Sequence, residues 1–155
     1  EMSASLVGSE MCIRDRNVNG VIRNEEVGNM ASSTSVYPVV RKKLVELQRQ
    51  LAKSADVIMD GRDIGTCVLP DAQVKIYLTA SSATRAKRRY DELTEKGVSC
   101  DLAEIEKDII DRDYRDMHRE TSPLRQAEDA VLVDSSEMNI DEVVDAIYQV
   151  YAKVK

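Results

Sequence analysis

The chain has 155 residues, enough for one domain, and with 43% hydrophobic and 32% charged residues it is not a disordered composition. A net charge of −6 argues against non-specific binding to nucleic acid or an anionic membrane, and the absence of Trp and Phe argues against a base-stacking single-strand binder. No apolar run approaches the ~20 residues that span a bilayer and no secretory segment is present, while Cys12, Cys67 and Cys100 lack metal or disulfide spacing and read as free thiols of a reducing cytoplasm.

Residues 1–16 show no sustained period of 2 or 3.6 and look like a translated sequencing adaptor, so they are expected to form a non-native tail outside the fold. Val21 to Ser33 is predicted helical. Ser35 to Lys53 is a stronger helix, because Val36, Val39, Val40, Leu44, Leu47 and Leu51 recur at helical spacing as a core-facing stripe. Pro38 fits its first turn. Asp56–Asp60 is predicted to be a short buried strand, as are Val74–Ala80 and Ala130–Asp134, on shortness and β-branched content.

Ser82 to Lys96 is predicted to be a helix capped by Ser81 and stopped by Gly97. Asp101 to Arg119 opens with Asp101 and Glu104 in capping-box spacing. Asn139 and Glu142 repeat that spacing before a last helix, whose stripe is Val143, Val144, Ile147 and Val150. Thr121 to Leu124 is a turn before a brief helix. Strands alternating with helices predict an α/β fold with a parallel sheet.

Two stretches carry the chemistry. Asp60-Gly61-Arg62-Asp63-Ile64-Gly65-Thr66 follows the first strand, at the kind of strand end where open α/β sheets bind ligands. Its glycines permit close approach or positive φ. Arg62 donates and Asp63 accepts, a pair suited either to reading a base edge or to a structural ion pair in a tight turn.

Farther on, Arg112, Arg115, Asp116 and Arg119 share one helical face. Their guanidiniums could clamp a phosphate. They could equally form a solvated face with Asp108–Arg112 and Asp111–Arg115 pairs. Arg85, Arg88 and Arg89 lie on the preceding helix, so the two form a basic hairpin that is either a lid over phosphates or a charged surface. His118 reads as a surface residue, and a single histidine allows no Ser-His-Asp or Cys-His arrangement.

The Asp60–Thr66 motif resembles bacterial cytidylate kinase. So do Val74–Ala80, Arg85-Ala86-Lys87-Arg88-Arg89 through Glu95-Lys96-Gly97, Arg112-Asp113-Tyr114-Arg115-Asp116, Ser122-Pro123-Leu124, Ala127–Ala130 and Asp134-Ser135-Ser136. The resemblance runs from about Asn19 to the C-terminus. It implies a P-loop nucleoside-monophosphate-kinase-like parallel sheet with helices on both faces and a helical lid. The corresponding regions are 17–37 for the remnant of a CMP-binding insert, 38–80 for the core, 81–120 for the lid and 121–155 for the last core strand and helix.

The implied activity is transfer of the γ-phosphoryl of ATP, with Mg²⁺, to CMP or dCMP, by a cytoplasmic enzyme that is monomeric when intact and has no nucleic-acid or membrane partner. Among residues matching the family's motifs, Ser32, Arg112 and Asp116 would contact the sugar, Arg41 and Arg119 the CMP phosphate, and Arg62 with Asp63 the cytosine. Arg112, Arg115 and Arg119 would be the catalytic arginines, and Arg88 with Arg115 the lid residues nearest the ATP phosphates. No residue is expected to ligate a metal directly.

No Gly-x-x-x-x-Gly-Lys-Ser/Thr loop occurs in the 155 residues. The family's first strand, phosphate loop and first helix are missing from them. That implies a gap between the strands at Val57 and Val74, unpaired edges prone to aggregation, and no kinase activity in the chain as it stands. A non-catalytic CMP-binding module and a kinase for a different nucleoside monophosphate are the alternatives.

Overall fold

The computed structural model describes residues 4–7, 10–13, 16–17, 22, 25–35 and 37–154. The chain divides into two compact units, residues 1–47 and 48–155.

In the first unit, β1 (Ala4–Val7), β2 (Glu10–Ile13) and β3 (Arg16–Asn17) form an antiparallel sheet in the order β1-β2-β3. Ala4 faces Ile13 across the first pair, and Cys12 faces Asn17 across the second. Residues 1–16 are expected to lie outside the fold; the described residues among them pair as short antiparallel strands. Runs of two to four residues are too short to show a period, so ladder pairing rather than pattern defines them. Helix α1 (Glu25–Thr34) follows; the hydroxyl of Thr34 donates to the Met30 carbonyl at 2.8 Å in its last turn.

Helix α2 (Pro38–Ser54) begins on the proline, whose missing N–H is no loss in a first turn. Its apolar stripe is not core-facing among the described residues: Val39 is 82% exposed, and Val40, Leu44, Leu47 and Leu51 are exposed as well. Periodicity specifies which residues share a face, but not that a partner covers it.

The second unit is built around a parallel pair, β4 (Ile76–Thr79) and β5 (Val131–Asp134), with Ile76 opposite Val131 and Thr79 opposite Asp134. Leu78, Val131 and Leu132 remain about half exposed, whereas Val133 is buried. Asp56–Asp60 is not a strand. It has no ladder partner among the described residues, and Ile58 is fully exposed at 104%. β-branched content makes an extended run available, but only a neighbouring strand makes it a sheet.

Helix α3 (Ser82–Glu95) starts where the Ser81 hydroxyl accepts the Thr84 N–H at 3.1 Å. It ends in a Schellman turn: the Gly97 N–H donates to Thr94 and the Val98 N–H to Leu93, both at 2.9 Å, with Gly97 at φ 72°. A side chain at Gly97 would be strained there.

Helix α4 (Leu102–His118) is capped by Asp101, whose carboxylate accepts the Glu104 N–H at 2.9 Å. Helix α5 (Ile140–Ala152) has the full reciprocal box: Glu142 N–H to Asn139 Oδ1 at 3.0 Å and Asn139 N–H to Glu142 Oε2 at 2.8 Å. Val143, Ile147 and Val150 are half-buried, while Val144 at the flank of the expected stripe is exposed.

Helices α3 and α4 pack together and are joined by polar bridges, and Ala86 on α3 is fully buried at 0% exposure. Arg85 forks onto Asp113 at 2.6 and 3.1 Å while donating its Nε–H to the Ala80 carbonyl, and Ser82 donates to Glu106 at 2.9 Å. The segment after Ser122 forms no helix before β5, which corrects the brief helix expected there. Pro123 removes a donor, and Ser122 sits at φ 51°, outside helical geometry.

Candidate functional site

The Arg62–Thr66 motif does not lie at the end of a strand. It leads into a single π-helical turn, Ile64–Val68, in which the Asp63 carbonyl accepts the Cys67 N–H at 2.8 Å and the Val68 N–H at 3.1 Å. Such turns are uncommon and recur at functional sites. Neither Gly61 nor Gly65 has positive φ, contrary to one reading of the sequence. Gly61 serves close packing instead, since a Cβ there would lie 3.0 Å from the Ile64 side chain.

From this turn Arg62 reaches α4. Its Nε–H donates to Asp116 Oδ2 at 3.0 Å across 54 residues of sequence. Asp116 is buried, and its other oxygen lies 3.9 Å from the Arg119 guanidinium. One carboxylate therefore stands between two guanidiniums. Arg119 donates its Nε–H to the Ser122 carbonyl at 2.7 Å, and the Leu124 N–H donates to the Asp116 carbonyl at 2.8 Å, so the left-handed turn at Ser122 folds back onto the helix end. The Ser122 hydroxyl lies 3.4 Å from Cys67 Sγ, returning to the π turn. Asp63 is also buried.

This is a fixed arrangement of donors and acceptors of both signs. A planar polar ring and an anion are the ligands such groups recognise.

The remaining arginines divide sharply. On α3 all three are engaged: Arg85 with Asp113, Arg89 with Glu92 at 2.8 Å, and Arg88 with the Ser135 carbonyl at 2.6 Å, the Met138 carbonyl at 3.0 Å and the Ser135 hydroxyl. Arg88 thus ties α3 to the loop between β5 and α5.

On α4, Arg112 and Arg115 are exposed. Arg115 donates to the Asp111 carbonyl at 3.3 Å, and the Asp111 carboxylate pairs with Lys107 at 3.5 Å. The expected Asp108–Arg112 and Asp111–Arg115 ion pairs are not formed. The positive charge available to a ligand on this hairpin therefore lies on α4. His118 is exposed; its Nδ1 is hydrogen-bonded to the Tyr114 carbonyl, and its ring stacks on Tyr114 at 4.0 Å.

Arg41 is buried on α2 within the first unit. Ser32 belongs to α1, and its side chain lies outside the described residues. The contacts given above unite Arg62, Asp116 and Arg119 directly, with Asp63 adjacent in the same turn. They do not join Arg88 to that group.

Sequence reasoning missed Arg49, Asp113 and Ser135. Arg49 on α2 donates Nε–H to the Val68 carbonyl at 2.9 Å and Nη2–H to the Cys67 carbonyl at 2.6 Å. Nothing in a lone helical arginine signals a partner nineteen residues away. Asp113 lay inside a motif that was read, but its partner Arg85 is on another helix.

Among the described residues, three carboxyls are held below their ordinary range. Lys75 does this to Asp129, Lys96 and then Arg89 to Glu92, and the Ser136 hydroxyl and N–H to Asp134. All three lie outside the Arg62–Asp116–Arg119 group. A cleft of about 220 Å³ lined by Gln73, Val74, Tyr151 and Val154 includes none of that group either. Among the described residues no three His, Cys, Asp or Glu side chains converge to hold a metal, and no helix is long and apolar enough to cross a membrane.

The sequence model of the family described as "Cytidylate kinase" matches residues 1–153, a range that begins well before Asn19. The chain is 51% identical over 141 residues to proteins named "Cytidylate kinase" from Lactobacillus gasseri and Lactobacillus johnsonii, covering 91% of this chain and 61% of each relative. It is also 51% identical over 135 residues to one of that name from Streptococcus pneumoniae, covering 87% of this chain and 60% of the relative. The chain thus spans about three-fifths of the length of the curated relatives it matches. With the arginine and aspartate motifs that first suggested it now joined in space, the chain belongs to the cytidylate kinase family.

Proposed function

We propose that this chain carries the CMP-recognition and lid portion of a (d)CMP kinase, which transfers the γ-phosphoryl of ATP to CMP or dCMP in the cytoplasm. The observation that carries the reading is the Arg62–Asp116 contact, which joins the π turn to the arginine face of α4 in a chain half identical to proteins named cytidylate kinase.

In this reading Arg62 and Asp63 present a donor and an acceptor to the cytosine edge. Asp116 and Arg112 hold the sugar, and Arg119 binds the CMP phosphate. Arg115 and Arg112, exposed on α4, are available to charge developing on the transferred phosphoryl. Such transfer needs positioning and charge stabilisation rather than covalent help from the protein. Arg88 has the weaker case for an ATP-phosphate role, because its guanidinium already serves two backbone carbonyls.

In this reading Mg²⁺ enters with ATP as part of the substrate, and no step is assigned to it. The 155 residues contain no Gly-x-x-x-x-Gly-Lys-Ser/Thr sequence. We therefore assign them recognition rather than turnover by themselves.

The test is calorimetric titration of the chain with CMP, dCMP, UMP and AMP, with phosphoryl transfer from labelled ATP measured in parallel. CMP and dCMP should bind in preference to UMP and AMP, without turnover. Equal binding of all four would refute cytosine recognition. Turnover by the chain would refute the division of labour.

A further inference from the structure

We propose that Arg49 is a positioning residue that fixes the base-reading turn and thereby sets the preference for cytosine over uracil. This inference rests on the function proposed above. The last carbonyls of a helical turn have no partner within it. Here Arg49 supplies partners for two of them, Cys67 and Val68, through separate nitrogens of one planar guanidinium at 2.6 and 2.9 Å. A planar fork fixes both distance and orientation, which a lysine ammonium does not.

The hold reaches the proposed base-reading residues along a short path. The Cys67 and Val68 N–H groups both donate to the Asp63 carbonyl. Arg62 is the next residue back, and Asp116 holds its side chain from the opposite side. The turn is thus braced at both ends, by Arg49 on its C-terminal carbonyls and by Asp116 on Arg62. Val68, between those anchors, is only 1% exposed.

Cytosine and uracil differ in whether the 4-position donates or accepts. Discrimination then depends on how firmly Arg62 and Asp63 are kept from rearranging to suit the wrong partner. A site held to about 0.5 Å discriminates, and a looser one adapts. Loss of the Arg49 fork should therefore weaken the preference for CMP over UMP more than the affinity for CMP.

The variants are Arg49→Lys, which keeps the charge, and Arg49→Met, which keeps much of the stem. Two measurements are made on the full chain: amide hydrogen exchange across residues 62–69 and across α4, and titration with CMP and with UMP. The expected result is roughly tenfold faster exchange in 62–69 with α4 unchanged, and a roughly tenfold fall in the CMP-to-UMP affinity ratio in both variants. Unchanged exchange in 62–69 overturns the inference. Faster exchange with an unchanged ratio also overturns it, leaving Arg49 as a structural brace. Global unfolding of both variants has the same meaning. Failure of the unaltered chain to bind CMP overturns the proposed function and this inference with it, whereas good CMP binding with an unmoved ratio in Arg49→Lys overturns the inference alone.

Discussion

Replacing Asp116 with alanine removes the carboxylate between Arg62 and Arg119 and gives the sharpest test of the site's construction. The Asp116 side chain is about 10% exposed and that of Arg119 about 12%, whereas Arg62 is 45% exposed. At an effective dielectric of about 20, a charge pair at these separations has a gross attraction of about 4–6 kcal/mol. Desolvation cancels much of it, but removing one partner of a buried pair strands the other and costs about 3–5 kcal/mol.

Water can resolvate the half-exposed Arg62 but not Arg119, so Asp116→Ala should cost about 2–3 kcal/mol, below that buried-pair figure. At this chain length 1 kcal/mol corresponds to about 2–4 °C, so the thermal midpoint should fall by roughly 4–12 °C. Asp116→Asn keeps an acceptor for Arg62 but no charge, and should lose about half as much. Urea unfolding followed by circular dichroism measures both variants, and the Arg62→Ala, Asp116→Ala double mutant should show a coupling of about 1–2 kcal/mol. Losses below about 0.5 kcal/mol in both single variants, the usual range for uninvolved surface positions, would refute the claim that Asp116 clamps the turn to α4.

Ala86→Leu should destabilise the fold by about 1–3 kcal/mol through overpacking, because Ala86 has no exposed surface; a denaturation midpoint equal to that of the unaltered chain would show spare volume there. Asn139→Ala removes one arm of the α5 capping box and should cost about 1 kcal/mol, read from the same unfolding curves, with Asn139→Asp nearly neutral. The depressed carboxyls of Asp129, Glu92 and Asp134 bind protons less readily in the folded than in the unfolded chain. Their stabilising contribution is therefore complete above the ordinary carboxylate pKa of about 4 and is lost as pH falls through the lowered folded values. Stability should drop between about pH 5 and pH 2, and Asp129→Asn should flatten part of that drop; an unchanged slope would remove the Lys75–Asp129 pair from the account.

The sequence by itself determined those elements whose signals are local. Ser81, Asp101 and Asn139 cap helices through hydrogen bonds to residues three positions on. Gly97 stops α3 because a left-handed residue is needed to return two N–H groups to the last turn. The strands at Ile76 and Val131 were legible from short β-branched runs.

What tertiary structure alone decided depends on residues far apart in the chain. The run at Val57 has strand composition but no ladder, and the α2 stripe has helical period but stays exposed. In both cases the pattern describes one surface and only a partner supplies the other. The allocation of arginines was equally invisible. Arg88 and Arg115 look alike in sequence, yet one guanidinium bonds across 50 residues to the Met138 carbonyl while the other donates to the Asp111 carbonyl one turn back in its own helix. Arg49 gave no signal at all, because the carbonyls it holds become available only when a π turn forms beside it. Local chemistry fixes caps and periods, whereas the use of a charge is set by whichever unsatisfied groups the fold brings within hydrogen-bond reach.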